Sequence, residues 1–226
     1  MSEPLSIAVY SDVICPWCYV GKRRLEAALA GPGMPAASHF YWLPFELNPD
    51  MPAEGVARQA YREAKFGAAR SAELDGNMLE TGRELGIAFA FQRMQRTPNT
   101  RLAHRLIWEG GRQGRQDELV ERLFHAYFEE ALDIGVPDVL KQLAAEAGLE
   151  ASAVERALTD PDSLNAVVDL EQQGYRMGIQ GVPFFILSQK YAVSGAQPPE
   201  FWTEALPRIA GEATASGGEA SEHTPR

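Results

Sequence analysis

Strand-forming sequence is confined to the two ends of this chain, and the long middle is helical in pattern. Leu5 to Ser11 is a short, mostly apolar run rich in β-formers that stops at Asp12, and it reads as a buried strand. A helix follows, with Cys15 at its N-cap and Pro16 as its first residue, and it runs through Leu25 and Leu29 to the stop at Gly31-Pro32-Gly33. His39 to Leu47 is the second strand. From about Pro52 apolar residues recur at helical spacing, as in Asn99 to Glu109, Asp117 to Ala131, the segment of Val139, Leu140 and Leu143, and Leu164 to Met177. Strand character returns at Phe184 to Leu187, and Tyr191 to Ser194 is placed to pair with it as a hairpin, although Gln189-Lys190 is a weak turn signal. Pro199 to Ile209 reads as a closing helix. Neither end carries enough strands for a stable sheet alone, so the economical architecture is one α/β sheet assembled from both ends with helices inserted between them. The expected organisation is 1–52 and 179–211 as the two halves of the sheet domain, 53–178 as an all-helical insertion, and 212–226, which lacks an apolar period, as a disordered tail.

A chain of 226 residues that is 45% hydrophobic can build its core without covalent staples, which leaves its two cysteines available for chemistry. Cys15 and Cys18 would close so short a loop that a disulfide between them would restrict the unfolded chain very little. The net charge of −10 argues against nucleic acid and anionic lipid as partners, and the Lys22-Arg23-Arg24 run reads as the solvated face of a helix. No stretch is long and apolar enough to span a membrane, and Met1 to Tyr10 lacks the pattern of a secretory leader. The expected compartment is the cytoplasm, where a close cysteine pair is more often catalytic or metal-binding than structural.

A lone Cys-x-x-Cys is open to two readings, half of a zinc site or a redox pair. Zinc needs two further ligands, and His39, His104, His125 and His223 show no ligand spacing, so no metal is expected. The redox reading accounts for more of the local sequence. With Pro16 at the first helical position, the Cys15 sulfur takes the place of a capping oxygen, facing free backbone N–H groups and the positive end of the helix dipole. Both effects favour a thiolate, which is the nucleophile of thiol–disulfide exchange and also a good leaving group. Cys18, one turn further on, is then the resolving thiol. Pro16 and Trp17 carry no ionisable group and would act through desolvation and backbone geometry. Gly181-Val182-Pro183 before an apolar strand is a weak signal on its own: Pro183 either starts the strand or, with a cis bond after Val182, forms a turn that exposes backbone groups for an extended substrate.

Ser11-Asp12-Val13-Ile14-Cys15-Pro16-Trp17-Cys18-Tyr19-Val20-Gly21, taken with Gly181-Val182-Pro183-Phe184-Phe185 and Tyr191-Ala192-Val193-Ser194-Gly195, resembles the DsbA-type thioredoxin-fold oxidoreductases, and most of all their FrnE-like cytoplasmic branch. The resemblance runs through most of Met1 to Gly211. It implies a thioredoxin fold with an inserted helical domain, Cys15 as nucleophile, Cys18 as resolving thiol and Pro183 as a cis-proline facing them. It also implies a thiol- or disulfide-containing protein or peptide as substrate, with Pro16, Trp17, Val182 and Pro183 contacting it, and no cofactor beyond the cysteine pair, with glutathione as a candidate electron donor.

Kappa-class glutathione transferases and 2-hydroxychromene-2-carboxylate isomerases belong to the same superfamily, and a glutathione-dependent isomerase or transferase is therefore the alternative reading. Those relatives carry Ser where this chain has Cys15, and a Ser-Asp pair where it has Ala196-Gln197. Asn48 and Arg58 lie near their glutathione-binding positions, in a stretch where the match is too loose to transfer a role. A non-catalytic or metal-binding module is the third class. FrnE-like relatives also resemble Asn99-Thr100 through Ala103-His104-Arg105, which makes His104 and Trp108 candidates for facing substrate, against the plainer reading that they pack on a neighbouring helix. Asp12 reads as a loop acid, His125 as a solvated residue, and the aromatics from Phe40 to Phe45 as core.

Overall fold

The computed structural model describes residues 5–35 and 37–217. In chain order its elements are β1 (Leu5–Ser11), α1 (Pro16–Leu29), β2 (Ala37–Pro44), β3 (Val56–Ala57), α2 (Arg58–Phe66), α3 (Ala68–Leu85), β4 (Arg96–Thr97), α4 (Arg101–Arg112), α5 (Gln116–Phe128), α6 (Pro137–Glu146), α7 (Ala151–Thr159), α8 (Pro161–Arg176), β5 (Phe184–Leu187), β6 (Tyr191–Ser194) and α9 (Pro199–Gly217). Strands from both ends of the chain form one sheet in the order β2-β1-β5-β6. The α1 crossover sets β2 parallel to β1, while β5 runs antiparallel to β1 and forms a hairpin with β6. Leu5, Ile7 and Val9 are buried at alternate positions of β1, as are Phe185 and Leu187 on β5, so one face of the sheet is covered more deeply than the other. Helices α1 and α9 pack together, Trp202 of α9 meets Phe185 edge-on at 5.1 Å, and α4, α5 and α8 pack near β2. Gly21 lets α1 approach β5: a Cβ there would lie 3.0 Å from Pro183 Cγ and 3.2 Å from Phe185 Cζ.

The inserted segment is fastened to the sheet by aromatic rings. Tyr19 of α1 stacks on Phe124 of α5 at 5.1 Å, with Phe128 and Phe89 completing the cluster. On β2, the Gln116 side chain accepts from the Trp42 N–H at 2.9 Å and donates to the Trp42 carbonyl at 3.0 Å, so α5 supplies the hydrogen bonds that the end of the sheet would otherwise lack.

Several expectations are corrected. The insertion is not wholly helical, because Val56 and Ala57 pair antiparallel with Thr97 and Arg96. Two-residue strands are too short to show an alternating pattern in sequence, and Gly55 permits the approach, since a Cβ there would sit 2.6 Å from the Thr97 carbonyl oxygen. The closing helix continues past Ile209 to Gly217, so part of the stretch expected to be disordered is helical. Extending a helix already nucleated against the core does not require an apolar period. Residues 218–226 of that stretch lie outside the described residues.

Lys22 does not belong to a solvated face: it is 3% exposed, paired with Glu26, with Glu121 at 2.9 Å and with Asp117 at 3.7 Å. The β5–β6 turn is real despite its weak signal. Ser188 and Gln189 take positive φ angles of 48° and 56°, and the Lys190 N–H donates to the Leu187 carbonyl at 3.1 Å. Such a turn is usually announced by Gly or Asn, and neither is present.

Candidate active site

Asp12 ends β1 and shapes the turn that follows. Its carbonyl accepts the Cys15 N–H at 2.9 Å, and its carboxylate accepts the N–H groups of Leu47 at 2.8 Å and Ile14 at 3.3 Å. It is a loop acid, as expected, but a fully buried one that ties the start of α1 to the segment after β2. Cys15 is the N-cap of α1, but its side chain makes no cap hydrogen bond. The expected capping geometry is thus corrected. Its thiol turns away from the helix and donates to the Val182 carbonyl at 3.7 Å. The Val182–Pro183 peptide is cis, and Pro183 is buried against α1.

Both cysteines are free thiols, and both are buried. They differ in what lies in front of them. Cys15, Pro16 and the half-exposed Trp17 line a cavity of about 540 Å³, whereas Cys18 does not reach it. Burial pushes the Cys18 thiol well above its ordinary pKa, and the neighbouring Cys15 adds to the effect, against an opposing contribution from the Ser11 hydroxyl and the Asp12 backbone.

The far wall of the cavity comes from α2 and α3 and is rich in cations. Arg58, Arg62, Lys65 and Arg70 line it with Asp75 as the acid among them. Arg58 and Arg62 share Asp75, each at 2.8 Å, and the guanidinium of Arg58 also lies 5.0 Å over the Phe91 ring. Asn48 lines the same cavity. Its Oδ1 accepts from Tyr61 at 2.6 Å and Lys65 at 3.3 Å, which leaves its buried Nδ2 without a partner among the described residues. In a chain of net charge −10, this wall is a local reversal of sign suited to an anionic ligand. The recurrence of Arg58, Arg62 and Lys65 at i, i+4 and i+7 is the sequence signal that could have drawn attention to it.

His104 and Trp108 do not face this cavity. With Tyr41, Pro44, Arg112 and Leu170 they line a separate one of about 260 Å³ beside β2, and the Arg112 guanidinium stacks 4.9 Å over the Trp108 ring. The reason is that α4 presents His104 inward: it is 2% exposed, with Nε2 3.7 Å from Asp12 Oδ1. Around it gather Glu46, which chelates Arg101 through two 2.8 Å bonds, and Glu171, whose Oε1 accepts the Glu46 N–H at 2.9 Å. Sequence reasoning missed this cluster because its members come from four separated segments. Among the described residues, no group of three or more His, Cys, Asp or Glu is arranged to hold a metal ion, and no helix is long and apolar enough to cross a membrane.

A sheet joined from both chain ends, with Cys-Pro-Trp-Cys opening α1 and a cis-proline before β5, is the architecture of a thioredoxin-fold protein. Residues 6–207 match the model of the DSBA-like thioredoxin domain, and the chain belongs to that family of thiol oxidoreductases. It is similar to a probable DsbA oxidoreductase from Streptomyces coelicolor, with 30% identity, a TM-score of 0.82, and coverage of 98% of this chain and 92% of that one. The Bacillus subtilis protein YwbO is 27% identical over 210 residues, which span 88% of this chain and 94% of YwbO. The cytosolic disulfide reductase DsbM from Pseudomonas aeruginosa, solved with GSH, shares the fold at 18% identity and a TM-score of 0.60, covering 94% of this chain and 99% of DsbM.

Proposed function

We propose that this chain catalyses thiol–disulfide exchange through Cys15 and Cys18. The observation that carries the reading is the unequal placement of the two thiols, Cys15 at the wall of a ligand-sized cavity and Cys18 one turn behind it, out of reach. In the reducing direction the Cys15 thiolate attacks a substrate disulfide, forming a Cys15–substrate bond and releasing the other sulfur as a thiolate. Cys18 then loses its proton and attacks Cys15, so the pair is oxidised by two electrons and the substrate leaves fully reduced. The reverse sequence oxidises a dithiol. Trp17 at the rim and the Val182 carbonyl beside Cys15 are the groups an incoming sulfur-containing chain would meet.

A cytoplasmic location suits a chain whose two cysteines form one exchange pair rather than structural disulfides. With a glutathione pool as the electron source, the expected direction is reduction or isomerisation. The cationic wall supports glutathione itself as an occupant of the cavity, since its two carboxylates would face Arg58, Arg62 and Lys65, with the Asn48 amide free to donate. The test is dithiol-dependent reduction of insulin and oxidative refolding of a reduced model protein. Cys15→Ser should abolish both, and retained activity would remove the mechanism. A glutathione-dependent isomerase would instead bind glutathione tightly by calorimetry in Cys18→Ser and turn over a small organic substrate without disulfide exchange.

A further inference from the structure

Asp12 holds the Cys15 turn in place with a charge that opposes the chemistry done there. Its carboxylate accepts the N–H groups of Ile14 at 3.3 Å and Leu47 at 2.8 Å, while its carbonyl accepts the Cys15 N–H at 2.9 Å. Ile14 and Leu47 both line the Cys15 cavity, so this one residue fastens two of its walls. The same carboxylate lies three residues from Cys15 and is bonded to the N–H of the residue before it. A negative charge in that place opposes the negative charge that the Cys15 sulfur carries as it attacks or leaves. Asp12 is fully buried, so water screens the charge poorly.

The side chain that answers this charge is His104 of α4. Its Nε2 stands 3.7 Å from Asp12 Oδ1, within ion-pair range but too long for a hydrogen bond, and it has no hydrogen-bond partner among the described residues. Both side chains are buried, at 2% and 0% exposed. A hydrogen bond demands a shorter and better aligned approach, whereas a counter-charge needs only to be near. We infer that His104 is a positioning residue for the reaction at Cys15: as an imidazolium it cancels the Asp12 charge, so the turn keeps its carboxylate without opposing a negative sulfur. The inference rests on the exchange mechanism proposed above.

The groups facing His104 suit this task. Asp12 approaches from the β1–α1 turn, Glu46 from the segment after β2 and Glu171 from α8. On α4 itself Arg101 is held by Glu46, and Arg105 bonds instead to Ser163 and the Asp160 carbonyl. Trp42 and Leu43 of β2 and Val120 of α5 bring no charge. The cavity of about 260 Å³ that His104 also lines adds Tyr41 and Arg112, whose guanidinium is drawn to Glu109 and the Trp108 ring. Burial works against a charge on His104, yet Asp12, Glu171 and Glu46 outweigh it and raise its pKa.

The charge is read from the pH profile of Cys15 alkylation by iodoacetamide in the reduced protein. In His104→Gln the Asp12 charge is no longer cancelled, and the midpoint of the profile should move up by about one pH unit, a tenfold change. Asp12→Asn removes the charge and keeps an oxygen for one of the two N–H groups, so its midpoint should stay within about half a unit of the wild type. Asp12→Asn combined with His104→Gln should do the same. Rescue of one substitution by the other is the signature of charge, since a merely structural pair would leave the double variant at least as disturbed as either single one. A midpoint unchanged in folded His104→Gln, or a double variant no nearer to the wild type than His104→Gln, overturns the inference. Should His104→Gln not fold, the imidazole nitrogen NMR signals of His104 in the wild-type protein decide. At about pH 6.5, the ordinary value for a free imidazole, they should be mainly those of the imidazolium, and a mainly neutral ring overturns the inference. Alkylation reads Cys15 whether or not it exchanges disulfides, so failure of the wild-type protein to reduce insulin would separately overturn the exchange mechanism, and the role of His104 in it.

Discussion

The Cys15 thiol donates to the carbonyl oxygen of Val182 at 3.7 Å, joining residues 167 apart in the chain. The contact exists because β5 pairs with β1, whose end leads into α1, and because Gly21 allows α1 to settle onto Pro183. It holds the Cys15 sulfur at the cavity wall, while Cys18 faces inward. The expected consequence is a trapped intermediate. Cys18→Ser should accumulate a mixed disulfide on Cys15 when mixed with an oxidised substrate, seen as a stable mass adduct, and Cys15→Ser should accumulate none. Adducts on Cys18 in the second variant would contradict the assignment of roles.

The cationic wall leads to a prediction about substrate charge. Lys65 is exposed, so its replacement should not disturb the core. Lys65→Gln should raise KM for glutathione disulfide by about tenfold with kcat nearly unchanged, the loss of a unit charge at ~10 Å being worth roughly 1.5 kcal/mol at an effective dielectric of about 20. A neutral dialkyl disulfide should show no such change. The effect should also shrink as salt is added, because the site opens to solvent. Equal KM changes for both substrates would point to shape rather than charge.

How much of this was legible in sequence follows from the range of each interaction. The strand leading to Cys15, the helix opening at Pro16 and the run from Val182 into β5 are local patterns, and each could be read from a few consecutive residues. The pairing of β3 with β4 involves two residues on each side, too few to leave a period. Lys22 read as solvated because its partners, Asp117 and Glu121, come from α5, nearly a hundred residues away. Asp12 and His104 were each noticed singly. What could not be read was that the fold buries them side by side with Glu46 and Glu171, since no sequence spacing encodes a contact among a turn, a strand end and two helices.

Gln116 gives a stability prediction independent of the redox chemistry. Its amide bonds both backbone groups of the buried Trp42 and also donates to the Ile107 carbonyl at 3.1 Å. Gln116→Ala would leave those groups without partners in a place water reaches poorly. The unfolding free energy should fall by about 2–3 kcal/mol in urea denaturation, the cost of unsatisfied buried groups. A change below about 0.5 kcal/mol, the size of an ordinary surface substitution, would mean that water replaces the amide freely.

Glu171 provides a pH-dependent test of the buried cluster. Burial and the neighbouring Glu46 carboxylate push its pKa above the ordinary value, and this outweighs the pull of His104 and Arg101. The folded protein thus holds the Glu171 proton more tightly than the unfolded chain does. The stability this contributes is fully present below the unfolded value and is lost as pH rises through the folded one. Glu171→Gln keeps an oxygen to accept the Glu46 N–H and removes the titration. Relative to the wild-type protein, its urea midpoint should therefore improve as pH rises from about 4.5, levelling off above the folded pKa of Glu171. At pH 7.5 the variant should be at least as stable as the wild type. A loss there of more than about 1 kcal/mol, the size of one hydrogen bond, would mean that the Glu171 charge is needed to balance His104 and Arg101.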